Sequence, residues 1–238
     1  NGPSSLEIRR EYVELVATGF PDVQVIPYII PGRTGCMMQV EDLAILAEQY
    51  DNVASVKEAT GDLENMAKTR RLCGDDFDIL SGDDDKTVAM MKSPDIKAAG
   101  VISVASNVIP GPIQQLTELL DAGDLAAADK LAADLQPLFQ IVTVSTTEQS
   151  SKGPVPCKAR NPLGIKTLMN VLGMPSGPCR RPLGKMTRAG IQVAIDAAKK
   201  VHSADPRALA PIAAAFGIDI EARLADGSLV ERLTYGSY

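Results

Sequence analysis

Three features of the sequence point to an α/β chain built from consecutive parallel βα units. Short runs rich in Val, Ile and Ala alternate with helical patterns four times, at a spacing of roughly 25 residues. The strand-like runs are apolar throughout, as expected where helices cover both faces of a sheet. The composition, 45% hydrophobic and 23% charged over 238 residues, can bury the core of one large domain or two small ones.

Ser4 and Ser5 follow Pro3 and predict the cap of a helix to about Thr18, with Leu6, Tyr12, Val13, Val16 and Ala17 on its apolar side. Gly19 to Asp22 turn the chain, Val23 to Tyr28 reads as a strand, and Pro31 to Gly35 reads as a loop. A second helix covers Gln39 to Tyr50, with Val40, Leu43, Leu46 and Ala47 on one side. Val53-Ala54-Ser55-Val56 is the next strand and ends in Lys57, and Asp62 caps a helix to Cys73. Phe77 to Ser81 forms a third strand, and Gly82-Asp83-Asp84-Asp85 breaks into a short helix ending near Met91. Gly100 to Val104 is the fourth strand, and Pro110 starts a helix to about Asp121. From Asp124 the rhythm stops. Asp124 to Glu148 reads as one long Ala- and Leu-rich helix kinked at Pro137, and Ser150 to Pro156 as a linker. Residues 158–172 and 187–201 read as helices joined by the rigid Pro175–Pro182 segment. From Ala204 a short helix starts and the pattern is then lost.

The charge balance excludes several functions. The net charge is −6, with no block of Lys or Arg, which argues against nucleic acid and against an anionic membrane surface. No run approaches the ~18 apolar residues of a membrane-spanning helix. The four Cys are scattered without metal-ligand spacing and read as free thiols of a reducing cytoplasm. The single His, His202, lies late in the chain, so a His base or a His-rich metal site has no material. Asp83, Asp84 and Asp85 stand at a helix start, where acids favour the dipole and cap N–H groups, and no metal site is expected of them.

Lys57 is the residue on which chemistry can rest. Strand C-terminal ends are where α/β enzymes hold reactive groups. Partial desolvation lowers the pKa of an amine held there, and the neutral amine can attack a carbonyl to form a Schiff base. The plain alternative is an exposed Lys paired with Glu58.

Four segments then occur in order on successive strand ends: Tyr28-Ile29-Ile30-Pro31-Gly32-Arg33-Thr34-Gly35, Lys57-Glu58-Ala59-Thr60-Gly61, Ser81-Gly82-Asp83-Asp84 and Gly100-Val101-Ile102-Ser103-Val104. Together they resemble the dihydrodipicolinate synthase family of class I pyruvate-dependent aldolases, a group that includes N-acetylneuraminate lyase, over residues 1 to about 200. The resemblance implies a (β/α)8 TIM barrel followed by a C-terminal helical domain. The matched strands would be the fifth to the eighth, and the chain would start inside the fourth helix. The first four strands would then lie outside this sequence. So would the paired Thr of the second strand, the Tyr that reaches a neighbouring subunit's site and the lysine-inhibition site. Residues 1–123 would be the C-terminal half of the barrel, and residues 124–238 the helical domain with a terminal extension.

By the same resemblance, Lys57 is the Schiff-base lysine that condenses with pyruvate, and Tyr28 is the proton-shuttling phenol. Arg33 grips the carboxylate of aspartate semialdehyde, and Gly82 and Ile102 line the pyruvate site with backbone. The motif departs at Ile29, where many members carry Asn, and at Gly32, where others have Ser. The implied activity is the condensation of pyruvate with aspartate semialdehyde in lysine and diaminopimelate biosynthesis, with the covalent intermediate on Lys57 and no separate cofactor. The implied assembly is a cytoplasmic homotetramer. Two alternatives stand beside it. One is another class I pyruvate aldolase, of the 2-keto-3-deoxy sugar acid or N-acetylneuraminate type. The other is a catalytically inactive chain acting as a binding partner. Arg33 within Gly32-Arg33-Thr34-Gly35 favours the synthase.

Overall fold

The computed structural model describes residues 2–235. The chain divides into two units, Asn1–Ser103 with Leu120–Gly123, and Val104–Leu119 with Asp124–Tyr238.

In the first unit, Ser4 caps the chain's first helix with a capping box that Glu7 completes. The helix runs as α1 (Ser5–Ile8), a π turn (Arg9–Val13) and α2 (Glu14–Gly19). Buried Arg9 pairs through Nε with Asp42 at 2.8 Å, which ties this helix to the rest of the unit. Strand β1 is only Tyr28–Ile29, shorter than the Val23–Tyr28 run predicts. Pro27 has no N–H for a ladder, and the preceding residues are held by other bonds. Val25 N–H donates to Asn52 O at 2.8 Å, and the Asn52 amide donates to Ala17 O, Phe20 O and Val23 O. The expected loop after β1 contains a one-turn helix, α3 (Pro31–Thr34), closed by Gly35 at φ +68°. Then follow α4 (Val40–Gln49), β2 (Ser55–Glu58) and α5 (Leu63–Cys73), whose N-terminus Asp62 caps by accepting from the N–H groups of Glu64 and Asn65. Next come β3 (Asp78–Ser81), α6 (Thr87–Lys92) and β4 (Gly100–Val101). Strand β4 also stops early, because Val104 already has helical backbone and leads a 3-10 turn at Ala105–Asn107.

The four strands form one parallel sheet in chain order. Val56 and Ile79 from the sheet, Leu43 and Leu46 from α4, Met66 from α5 and Met90 from α6 share its core. At the N-terminal ends of the strands lies Arg70, 8% exposed. Its guanidinium donates to the carbonyls of Ile96, Gly74, Asp75, Phe77 and Lys97. These carbonyls belong to the segments leading into β3 and β4, so one side chain fastens the starts of two strands.

The second unit contains α7 (Pro110–Asp121, in its greater part) and α8 (Leu125–Phe139), which takes Pro137 inside its last turn. The expected continuation of α8 to Glu148 is not what forms. A 3-10 turn at Gln140–Val142 leads into β5 (Thr143–Ser150), and the expected linker becomes a turn and β6 (Gly153–Arg160). Thr143, Val144, Thr146 and Thr147 are β-branched and favour the pleated form over a helix. The helix expected from residue 158 therefore starts later, as α9 (Leu163–Val171). Helix α10 (Arg188–Ala204) follows the irregular Pro175–Pro182 segment. Leu135, Leu168, Val171, Ile191, Ala194 and Val201 are buried in this unit. The tail keeps its pattern beyond Ala204, in α11 (Ala210–Phe216), α12 (Ile220–Ala225) and α13 (Gly227–Leu233). Arg223 of α12 donates to the carbonyls of Val171 and Asn170 at the end of α9.

Candidate active site

Parallel register brings the sequence motifs together. Tyr28 pairs with Lys57, Lys57 with Leu80, and Leu80 with Gly100. Successive strand residues point to opposite faces, so these positions share one face at the C-terminal ends, and Val56 and Glu58 point to the other. The Lys57 Nζ stands 4.0 Å from the centroid of the Tyr28 ring. Tyr28 is 47% exposed, so this cation–π contact contributes only about 0.5–1 kcal/mol. Its larger effect is to place an amine and a phenol side by side.

Their environments act on the two groups in opposite senses. Burial pushes the Lys57 ammonium below its ordinary range, against the pull of Asp83 and Asp84. Burial also pushes the Tyr28 phenol up; the Asp83 charge adds to this and Arg33 opposes it. The amine is therefore easier to neutralise, and the phenol keeps its proton. Asp83 is itself raised, first by burial and then by Asp85 and Asp84, with Lys86 and Lys57 opposing. At the head of its 3-10 turn, Asp83 makes no side-chain capping bond, contrary to the expectation that these acids cap N–H groups. The acidic run conceals a charged neighbour of Lys57, and the signal for it is the position directly after a strand end.

Glu58 does not pair with Lys57. It is 1% exposed and accepts from Thr60 N–H at 2.8 Å and from the Asn65 amide at 3.3 Å. Burial raises its pKa despite these bonds. Glu58 thus braces the loop that follows β2, where Gly61 takes φ +75°. Gly82 abuts the same loop. Its N–H donates to Glu58 O at 2.7 Å, and a Cβ there would lie 2.6 Å from the Ala59 Cβ and 2.9 Å from Glu58 O. Ile102 lies just past β4, its N–H donating to Ser81 O at 2.9 Å and its side chain partly exposed. Arg33 is exposed on α3.

A cavity of about 480 Å³ opens beside β1, with Tyr12, Val13, Tyr28, Ile29, Ile30 and Met37 in its apolar lining; Lys57 is not part of it. Among the described residues, no group of three or more His, Cys, Asp or Glu side chains is arranged to hold a metal ion, and no helix is long and apolar enough to cross a membrane.

Comparison with known proteins gives a consistent set of relatives. Residues 3–200 match the model of the dihydrodipicolinate synthetase family. A 4-hydroxy-tetrahydrodipicolinate synthase of Thermoanaerobacter sp. (strain X514) is 34% identical over 171 residues, 72% of this chain and 52% of the relative. The enzyme of that name from Synechococcus elongatus is 36% identical over 168 residues, 71% of this chain and 50% of the relative. A crystal structure of the Cyanidioschyzon merolae enzyme with lysine bound superposes with a TM-score of 0.73 at 32% identity, covering 84% of this chain and 62% of that one. The structure from Methylacidiphilum fumariolicum SolV gives 0.74 at 25% identity, covering 91% and 64%. The chain thus spans about half the length of these curated relatives.

Proposed function

This chain belongs to the dihydrodipicolinate synthetase family, and we propose that it carries the Schiff-base centre of a 4-hydroxy-tetrahydrodipicolinate synthase, condensing pyruvate with aspartate semialdehyde. In this reading β1–β4 are strands five to eight of a (β/α)8 barrel, residues 1–123 form that half of the barrel, and residues 124–238 form a C-terminal domain. The observation that carries the reading is the Lys57 amine 4.0 Å from the centroid of the Tyr28 ring at the C-terminal ends of adjacent parallel strands.

The neutral Lys57 amine attacks the keto carbon of pyruvate to give a carbinolamine. Tyr28 donates a proton to its oxygen, water leaves, and the iminium forms. Loss of a methyl proton gives the enamine, whose carbon adds to the aldehyde of aspartate semialdehyde. The amino group of that substrate then closes the ring and releases Lys57. Arg33 holds the second substrate's carboxylate, a task that suits a guanidinium. Gly82 and Ile102 present backbone to pyruvate. No metal or separate cofactor takes part. The working protein is a homotetramer of the cytoplasm.

Pyruvate with borohydride tests this reading. One reduced pyruvyl group should be added, peptide mapping should find it on Lys57, and Lys57→Ala should abolish it. A label on another Lys, or normal turnover of Lys57→Ala, would falsify the assignment. Aspartate semialdehyde offered beside 2-keto-3-deoxy sugar acids and N-acetylneuraminate settles the second substrate.

A further inference from the structure

We propose that the outer edge of β5 pairs with the same strand of a second copy, joining two hairpins into a four-stranded antiparallel sheet. This inference does not depend on the Schiff-base reading.

Among the described residues, the hairpin is a two-stranded sheet with no other strand on either edge. Its register sets Thr147 opposite Pro156 and Gln149 opposite Pro154. Proline has no N–H, so these are the wide, non-hydrogen-bonded pairs of the ladder. In wide pairs the backbone groups of both strands point away from each other. On β6, positions 154, 156, 158 and 160 therefore face outward, and proline removes the donor at two of them. Lys158 and Arg160 occupy the other two. Proline and Lys are the usual guards against strand addition, so the β6 edge is closed.

The β5 edge has none of these guards. Thr143, Ser145, Thr147 and Gln149 turn their N–H and C=O groups outward, and all four are exposed. None is charged, none is proline, and the ladder has no bulge. The one charge on the strand, Glu148, sits on the half-buried face, where it accepts from Thr146 Oγ1 at 2.9 Å. A charged peptide has no counter-charge to read on this edge, whereas the edge complements itself. In an antiparallel pairing centred on Thr146, Ser145 of one copy faces Thr147 of the other, and Thr143 faces Gln149. Each of these pairs exchanges two N–H···O bonds. On the other face Val144 meets Glu148 and Thr146 meets its own copy, so no like charges are opposed. The contact is two-fold symmetric and closes on itself. A two-stranded sheet is marginal alone, and four strands remove that weakness.

Sedimentation velocity of the 238-residue chain, with circular dichroism to verify folding, tests the pairing. The unaltered chain should associate at micromolar concentration. Thr147→Pro removes an outward N–H that β6 does not use, and Thr147→Lys places two charges near the two-fold axis. Each should raise the dimer dissociation constant at least about tenfold, the mirror of the guards already on β6. Where Thr147→Pro fails to fold, Thr147→Lys decides. Thr146→Cys, made together with Cys157→Ser because Cys157 is the free thiol facing position 146 across the hairpin, gives a register-specific readout. In a wide pair the facing Cα atoms lie about 4.5 Å apart, within disulfide reach. On oxidation this variant should form a disulfide that joins position 146 of the two copies, located by peptide mapping, and Gln149→Cys should not crosslink. A monomeric unaltered chain, association unchanged in both folded Thr147 variants, or no crosslink at position 146 overturns the proposal.

Discussion

Desolvation moves the Lys57 amine and the Tyr28 phenol apart in acidity, and in the proposed mechanism both shifts would serve imine formation. Pyruvate trapping should therefore rise with pH and level off below the range of an ordinary lysine, near 10.4. A profile still climbing through that range would show that Lys57 is not desolvated in solution. Tyr28→Phe should slow turnover by roughly 10²–10⁴ with melting unchanged, the usual share of a positioned proton donor. Trapping and turnover rates of that variant check it. The closeness of both residues was legible in the sequence because each stands at the end of a predicted strand inside a distinctive motif, although β1 begins at Tyr28 and β2 runs on to Glu58. Asp83 was not, since a run of three acids before a helix reads as capping. Only the fold shows that the first of them acts electrostatically on Lys57 and Tyr28. Nor could sequence order show that Glu58, the neighbour of Lys57, turns to the opposite face and braces the next loop.

Gly82 shows how closely the βα loops pack. A methyl group there meets Ala59 and the Glu58 carbonyl well inside contact distance. Gly82→Ala should cost about 1–3 kcal/mol, read as a lower denaturant midpoint. It should also weaken trapping, because the loop after Lys57 must shift. An unchanged midpoint would mean that the loop yields freely. The parallel strands and their helices were readable because apolar runs and caps such as Asp62 are local signals. The misreadings have local causes too. The Val23–Tyr28 run pairs only at its end, because Pro27 and the Asn52 bonds occupy the rest. The β5–β6 hairpin was hidden because Pro154 and Pro156 signal a linker. Proline is nonetheless compatible with an edge strand when its nitrogen points outward. The Ala-rich sequence before Pro137 likewise masked the β-branched run that follows.

Across the first unit, the two ends of the sheet are held by different chemistry. The starts of β3 and β4 are fastened by Arg70 through five backbone carbonyls. The C-terminal ends of the strands carry Glu58, Asp83 and Lys57, whose proton affinities burial displaces. A guanidinium does not lose its proton in proteins, so the Arg70 brace itself is indifferent to acidity. The C-terminal rim is not. The folded-state pKa values of Glu58 and Asp83 lie above their unfolded values. The stability they contribute is full below the ordinary carboxylate range and is lost as pH rises through the folded values. Lys57, shifted downward, has the opposite sense, its contribution falling away as pH drops through its lowered value. The sheet is thus a body that loosens from one rim as pH climbs above the ordinary carboxylate range. Amide exchange, corrected for its intrinsic pH dependence, should show opening around Thr60 and Gly82 growing easier over that interval, while the segments around Phe77 and Lys97 stay put. An equal response at both rims would show that the carboxylates are not coupled to local opening. If the proposed Schiff-base reading holds, the rise in pH that loosens this rim would act where pyruvate has to enter, making access a property that solution acidity can grade without touching the Arg70 brace behind it.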